Sequence, residues 1–163
     1  MPNDILYDAL EDLSKAIHRF EMMDFTDMKV WDESIAKSRI EMMVENFEIA
    51  LHEAEKIAKN NHSMGALKRI QMMQQQIDSS KLVVLERIER ISTSEKNLIT
   101  LLKAFEALII KFELTTPDDS DIARLRSMMY RVETHLRERP VSENSVQRAK
   151  NIINRARNIY SSY

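Results

Sequence analysis

The chain contains almost no glycine: Gly65 is the only one among 163 residues, and there are just three prolines. Strand hairpins, phosphate-binding loops and nucleotide-binding turns depend on glycine, so their usual sequence signals are missing. Cysteine is absent altogether, which excludes a disulfide, a thiolate nucleophile and a Cys-ligated zinc or iron–sulfur site. The composition therefore predicts a protein made of helices.

Long apolar runs are also missing. None approaches the roughly 20 residues that span a bilayer, and residues 1–4 do not begin a secretory signal peptide. We therefore expect a cytoplasmic protein that makes no membrane contact. With 44% hydrophobic and 31% charged residues, the chain has enough apolar side chains for a core. A single domain over residues 1–163 is the expectation for this length.

Apolar residues recur at spacings of three and four along most of the chain, which predicts about six helices. The first covers about 4–23, and a second of about 30 residues follows a break at 24–27. Asn60 to Ser63 form a stop-and-restart signal, after which a third helix runs from Ala66 to Ile91. Thr116 and Pro117 mark the start of the fifth helix, whose apolar stripe runs from Ile122 to Leu136, and the stripe of the sixth helix runs from Val146 to Tyr160.

The segment Ser92-Thr93-Ser94-Glu95 matches a capping box, with Ser92 as the cap and Glu95 at the third position. This match predicts a tight chain reversal and a separate, largely buried fourth helix over 98–112. Short connections between long amphipathic helices favour antiparallel neighbours. The predicted fold is therefore an all-α, up-and-down antiparallel bundle. Its main part covers about 1–115, and a basic C-terminal helical pair covers about 116–163.

Charge is distributed unevenly along the chain. Residues 1–60 carry 14 acidic and 7 basic side chains, whereas residues 61–163 carry 12 and 17. The sixth predicted helix has the candidate contact residues for a partner or nucleic acid: Arg148, Lys150, Arg155 and Arg157. If this helix binds nucleic acid, these side chains must face solvent. If it docks on acidic residues of the first two helices, the arginines are partly occupied.

Signals for catalysis are weak. None of the four histidines has a glutamate three residues before it, and neither a His-x-x-x-His pair nor a Gly-x-Ser-x-Gly turn occurs. His52 follows Glu48 by one helical turn, but such a pair is typical of a solvated helix face. We therefore expect no enzyme, with no catalytic residue, no metal and no cofactor.

Two functions remain open. The leading hypothesis is a non-enzymatic assembly, scaffold or adaptor module that acts through protein–protein contacts. Its partner is another protein or a second copy of the chain, because the apolar stripes of the second and third helices are long enough to extend past their neighbours. The alternative is a nucleic-acid-binding accessory protein that uses the arginine-rich last helix.

Overall fold

The computed structural model describes residues 2–162, with the side chains of residues 4–162, and all regular structure in that part is helical. The all-α prediction is confirmed. None of the helices in the described part is long and apolar enough to cross a membrane. The helices in chain order are α1 (Pro2–Glu21), α2 (Glu33–Asn60), α3 (Met64–Leu114), α4 (Asp119–Glu138) and α5 (Glu143–Tyr160).

The predicted reversal at residues 92–95 is wrong, because α3 continues through them as one helix of 51 residues. The third and fourth predicted helices are therefore a single element, and the described part of the chain has five helices rather than six. Ser92, Ser94 and Glu95 are buried and bond to other segments instead of capping a helix. The indole nitrogen of Trp31, for example, donates to the Ser92 hydroxyl at 3.0 Å.

The predicted stop between the second and third helices is confirmed. His62 takes the left-handed backbone conformation, with φ of 52°, and the Ser63 hydroxyl accepts from the backbone nitrogen of Ala66 at 3.4 Å. Gly65 lies inside α3 rather than in this turn. A Cβ at that position would lie 2.9 Å from the hydroxyl of Tyr7, so the missing side chain leaves room for α1.

Two other helix starts differ from the prediction. The cap of α4 is Asp118 rather than Thr116, and Pro117 precedes the cap instead of occupying the first helical position. Asp118 accepts from the backbone nitrogen of Asp121 at 2.8 Å, and the Asp121 carboxylate accepts in return at 3.3 Å. The cap of α2 is Asp32, so residues 22–32 form a longer connection than the predicted break at 24–27.

The chain divides into two compact units. Unit 1 is Met1–Phe25 with Asp32–Ile88, and unit 2 is Thr26–Trp31 with Glu89–Tyr163. The boundary therefore falls inside α3, whereas the sequence suggested a division near residue 115. Unit 1 contains α1, α2 and the first part of α3, and unit 2 contains the rest of α3 with α4 and α5. That the whole chain is a single domain stays a prediction.

In unit 1, contacts between α1 and α3 follow the same order along both helices. The Arg69 guanidinium lies 2.6 Å from the Glu11 carboxylate. Further along, Arg87 donates to the Glu21 carbonyl at 2.8 Å. Helix α2 packs on α1 through the rings of Phe20 and Phe47, whose centroids lie 5.5 Å apart in an edge-to-face arrangement.

In unit 2, the second part of α3 supplies much of the core, as the sequence predicted for residues 98–112. Its buried side chains are Leu98, Leu102, Phe105, Leu108, Ile109 and Phe112. These side chains pack against buried residues of α4 and α5, including Leu125, Val132, Ile152 and Ile153. Burial of this apolar surface is the main term that holds the three helical segments together.

Candidate functional site

The structure places the arginines of α5 in ion pairs within unit 2. Each guanidinium lies close to one carboxylate: Arg148 to Glu106 (3.3 Å), Arg155 to Glu113 (3.0 Å) and Arg157 to Glu133 (2.7 Å). The carboxylates belong to α3 and α4, not to the acidic first 60 residues that the sequence suggested as a docking surface. Lys150 is exposed and makes no ion pair in the described part of the chain.

These ion pairs are partly open to water. The arginine side chains remain 45%, 49% and 60% exposed in the order of their residue numbers. Exposed pairs of this kind contribute about 0–1 kcal/mol each because water and salt screen them. The α5 arginines are therefore partly neutralised but still reachable from solvent.

Cationic side chains without a paired carboxylate lie in a groove of unit 2 between α3 and α4. Its lining includes three apolar residues, Leu101, Ala104 and Met128, which we call the floor, and three basic residues from the α4 side, Arg131, His135 and Arg139, which we call the wall. We call this feature the basic groove. Arg131 and Arg139 form no ion pair among residues 4–162, and Glu138 is the only carboxylate that lines the groove within that range.

The basic wall arises from a regular spacing on α4. Arg131, His135 and Arg139 are four residues apart, so they lie along one side of the helix and its C-terminal cap. His135 is fixed by Ser94 of α3, whose carbonyl accepts from its Nε2 at 3.0 Å. The sequence alone does not reveal this site, because the opposite side of the groove comes from a different helix.

A second surface lies on the outer side of α2. Ile35, Met42 and Ile49 repeat every seven residues and are 54%, 64% and 56% exposed. We call this row the outer stripe. The opposite face of α2 is buried and carries Ala36, Ile40, Val44, Phe47, Leu51, Ala54 and Ala58. Two exposed glutamates, Glu45 and Glu53, lie beside the outer stripe.

A second groove, between α2 and α3 of unit 1, contains the His52 and Glu48 pair that the sequence singled out. No hydrogen bond joins these two side chains. Glu55 also lines the groove, and its hydrogen bond to the Lys59 ammonium holds the pKa of the Glu55 carboxyl below its usual value. Within residues 4–162 no three His, Asp or Glu side chains gather in a way that could hold a metal ion. The absence of catalysis, metal and cofactor stays a prediction.

Comparisons with protein-family models, with curated proteins and with solved structures found no match. The functional proposal therefore depends on two surfaces of this chain. The outer stripe of α2 is apolar with acidic neighbours, and the basic groove of unit 2 is apolar at its floor and cationic at its wall.

The ion pair between Lys111 and Asp121 predicts a pH effect on unit 2. The Lys111 ammonium donates to Asp121 at 2.8 Å, and this bond holds the pKa of the Asp121 carboxyl below its usual value. A lowered folded-state pKa stabilises the fold above the unfolded pKa of about 3.9, and this stabilisation is lost as pH falls through the folded value. Asp121→Asn should therefore lower the melting temperature at pH 7, and the difference from the parent should shrink toward pH 2.

The matched control for this experiment is Asp119→Asn. Asp119 lies in the same first turn of α4 and is exposed without a hydrogen-bonded partner. Thermal melts of the parent and both variants between pH 7 and pH 2 separate a local helix-dipole effect from the ion pair. Parallel curves for the parent and Asp121→Asn would contradict the prediction.

Proposed function

We propose that this protein is a non-enzymatic helical assembly or scaffold module that acts through protein–protein contacts and associates with itself. The main support for this proposal is the exposed outer stripe of α2. Single exposed apolar side chains are ordinary on protein surfaces. Three at heptad spacing on one helix face, each more than half exposed, form a partner surface.

An up-and-down antiparallel arrangement of helices within each unit is part of this proposal. In unit 1 the contacts of α1 and α3 follow the same order along both helices, and α2 joins α3 through a turn at 61–63. In unit 2 the ion pairs of α5 with α3 also keep the same order along both helices. Such a three-helix unit leaves one face of each helix outside, where a partner can bind.

The alternative function, nucleic-acid binding through Arg148, Lys150, Arg155 and Arg157, has less support. Three of these four cations already have a carboxylate neighbour within ion-pair distance, which a phosphate would have to displace. The proposal also includes a cytoplasmic location, which suits a chain without cysteine.

The proposal predicts that the parent protein scatters light as a species heavier than the 19.1 kDa chain at high concentration. The triple variant Ile35→Gln, Met42→Gln and Ile49→Gln should be a monomer with unchanged helix content, because glutamine keeps helix propensity and removes the apolar surface. Size-exclusion chromatography with light scattering measures the mass, and circular dichroism checks the helix.

The control variant changes two exposed apolar residues outside the outer stripe, Ile110→Gln and Leu114→Gln, which are 48% and 78% exposed. It should assemble as the parent does. A parent that stays a 19.1 kDa monomer at every concentration would rule out self-association.

A further inference from the structure

We infer that the outer stripe of α2 in one copy docks into the basic groove of a second copy, so that copies assemble head to tail. This inference rests on the proposed function, because it names the surface that the outer stripe meets. One copy presents one outer stripe and one basic groove. A contact between two different surfaces can repeat from copy to copy, which produces chains or closed rings.

Charge complementarity is the first observation that supports this pairing. Glu45 and Glu53 lie three or four residues from Met42 and Ile49, so they flank the outer stripe, and both are exposed and form no ion pair among the described residues. The α4 wall of the basic groove carries Arg131 and Arg139, which have no carboxylate partner among the described residues. The net charges of the units are also opposite: unit 1 is acidic, with 15 acidic and 10 basic residues, and unit 2 is basic, with 11 acidic and 14 basic residues. Opposite potentials favour contact between an α2 and a groove.

The spacing of the charges matches as well. Arg131 on α4 and Arg139 at the C-terminal cap of α4 are eight residues apart, and Glu45 and Glu53 are eight residues apart on α2. At 1.5 Å per residue both separations are about 12 Å along a helix. A helix lying along the groove can therefore bring both glutamates to the two arginines in one register.

The apolar parts of the two surfaces also correspond. The groove floor of Leu101, Ala104 and Met128 lies between two helices, and grooves of this kind accept the apolar face of a third helix. Methionine adapts its shape to what it contacts, and both Met128 in the floor and Met42 in the outer stripe supply such side chains.

A symmetric contact between two outer stripes is the competing arrangement. It would bring Glu45 and Glu53 of both copies to one interface. Like charges facing each other across an interface cost free energy. The basic groove offers the outer stripe an oppositely charged site instead.

The test uses two variants that each keep one surface intact. The groove variant is Arg131→Glu with Arg139→Glu, and the stripe variant is the triple glutamine variant of α2. Each alone should be monomeric by light scattering. An equimolar mixture should form a heterodimer of twice the 19.1 kDa chain mass, because the intact groove of one variant accepts the intact stripe of the other. The two surfaces that the heterodimer leaves free are the substituted groove of one variant and the substituted stripe of the other, so no further copy binds.

The charge-matched control is Lys103→Glu with Arg137→Glu, two exposed cations of unit 2 that do not line the groove. It should assemble like the parent. If the groove variant loses helix by circular dichroism, Arg131→Gln with Arg139→Gln replaces it, with the same expected monomer and the same rescue in the mixture.

Three results would overturn the inference. If the stripe variant is monomeric but the groove variant assembles like the parent, the proposed function stands and the stripe meets another surface. If the mixture stays monomeric, the two surfaces do not pair. If the groove variant assembles normally but loses retention of a labelled single-stranded oligonucleotide that the parent binds, the groove is a nucleic-acid site. A monomeric parent contradicts the proposed function itself.

Discussion

Replacing Phe105 with alanine is expected to lower the free energy of unfolding of unit 2 by about 3–5 kcal/mol, through lost burial and a residual cavity. The Phe105 ring is fully buried at the centre of the unit 2 core. Leu136→Ala is the comparison, because Leu136 is only partly buried near the end of α4 and packs at the edge of the same core. Leu136→Ala should lower the free energy of unfolding by less than Phe105→Ala does.

Chemical denaturation of both variants, followed by circular dichroism, measures these losses. If the two units unfold in separate transitions, the change belongs to the transition of unit 2, and the other transition should keep its midpoint. Equal losses for Phe105→Ala and Leu136→Ala would contradict the placement of the core.

Glu95→Ala is the second substitution with a large expected effect, about 2–4 kcal/mol, because it removes two hydrogen bonds to a buried carboxylate. Glu95 is 6% exposed, and its two oxygens accept from the backbone nitrogen of Ser142 and the hydroxyl of Ser145. Ser142 caps α5. The variant leaves the backbone N–H of that cap buried without an acceptor, and the start of α5 should fray.

Hydrogen exchange resolved by residue tests this effect, since amides in the first turn of α5 should exchange faster in the variant while those of α2 do not change. Glu89→Ala is the control, because Glu89 lies on the same helix, is exposed and has no hydrogen-bonded partner. If Glu95→Ala and Glu89→Ala have the same stability, Glu95 does not hold the start of α5.

The role of Glu95 also explains where the sequence prediction failed. Helical periodicity and the turn at 60–63 are local patterns, and the structure confirms them. Ser92 and Glu95 match a capping box equally well, but their partners are Trp31 and Ser142, which are distant in sequence. A local pattern cannot distinguish a polar side chain that caps its own helix from one that bonds to a remote segment.

The candidate surfaces were also predictable only where they depend on one helix. The sequence shows that Arg148 and Arg155 belong to the last helix, but not that the glutamates that pair with them lie on α3, 42 residues earlier in the chain. The basic groove requires α3 and α4 to lie side by side, which no spacing within one helix reveals. The outer stripe could be found from the sequence, because both its heptad repeat and the buried face opposite it are local to α2.

The connection between α1 and α2 has a consequence for the order in which the protein folds. Its residues Thr26–Trp31 belong to unit 2, and the Lys29 carbonyl accepts from the backbone nitrogen of Asn144 at 2.8 Å. This bond joins positions near opposite ends of the chain, so it closes a long loop, and such contacts form late. During synthesis, this segment cannot bond to Asn144 until α5 has left the ribosome. Helices α1 and α2, on either side of it, are synthesised earlier and can pair before then. Unit 1 therefore begins to fold before unit 2.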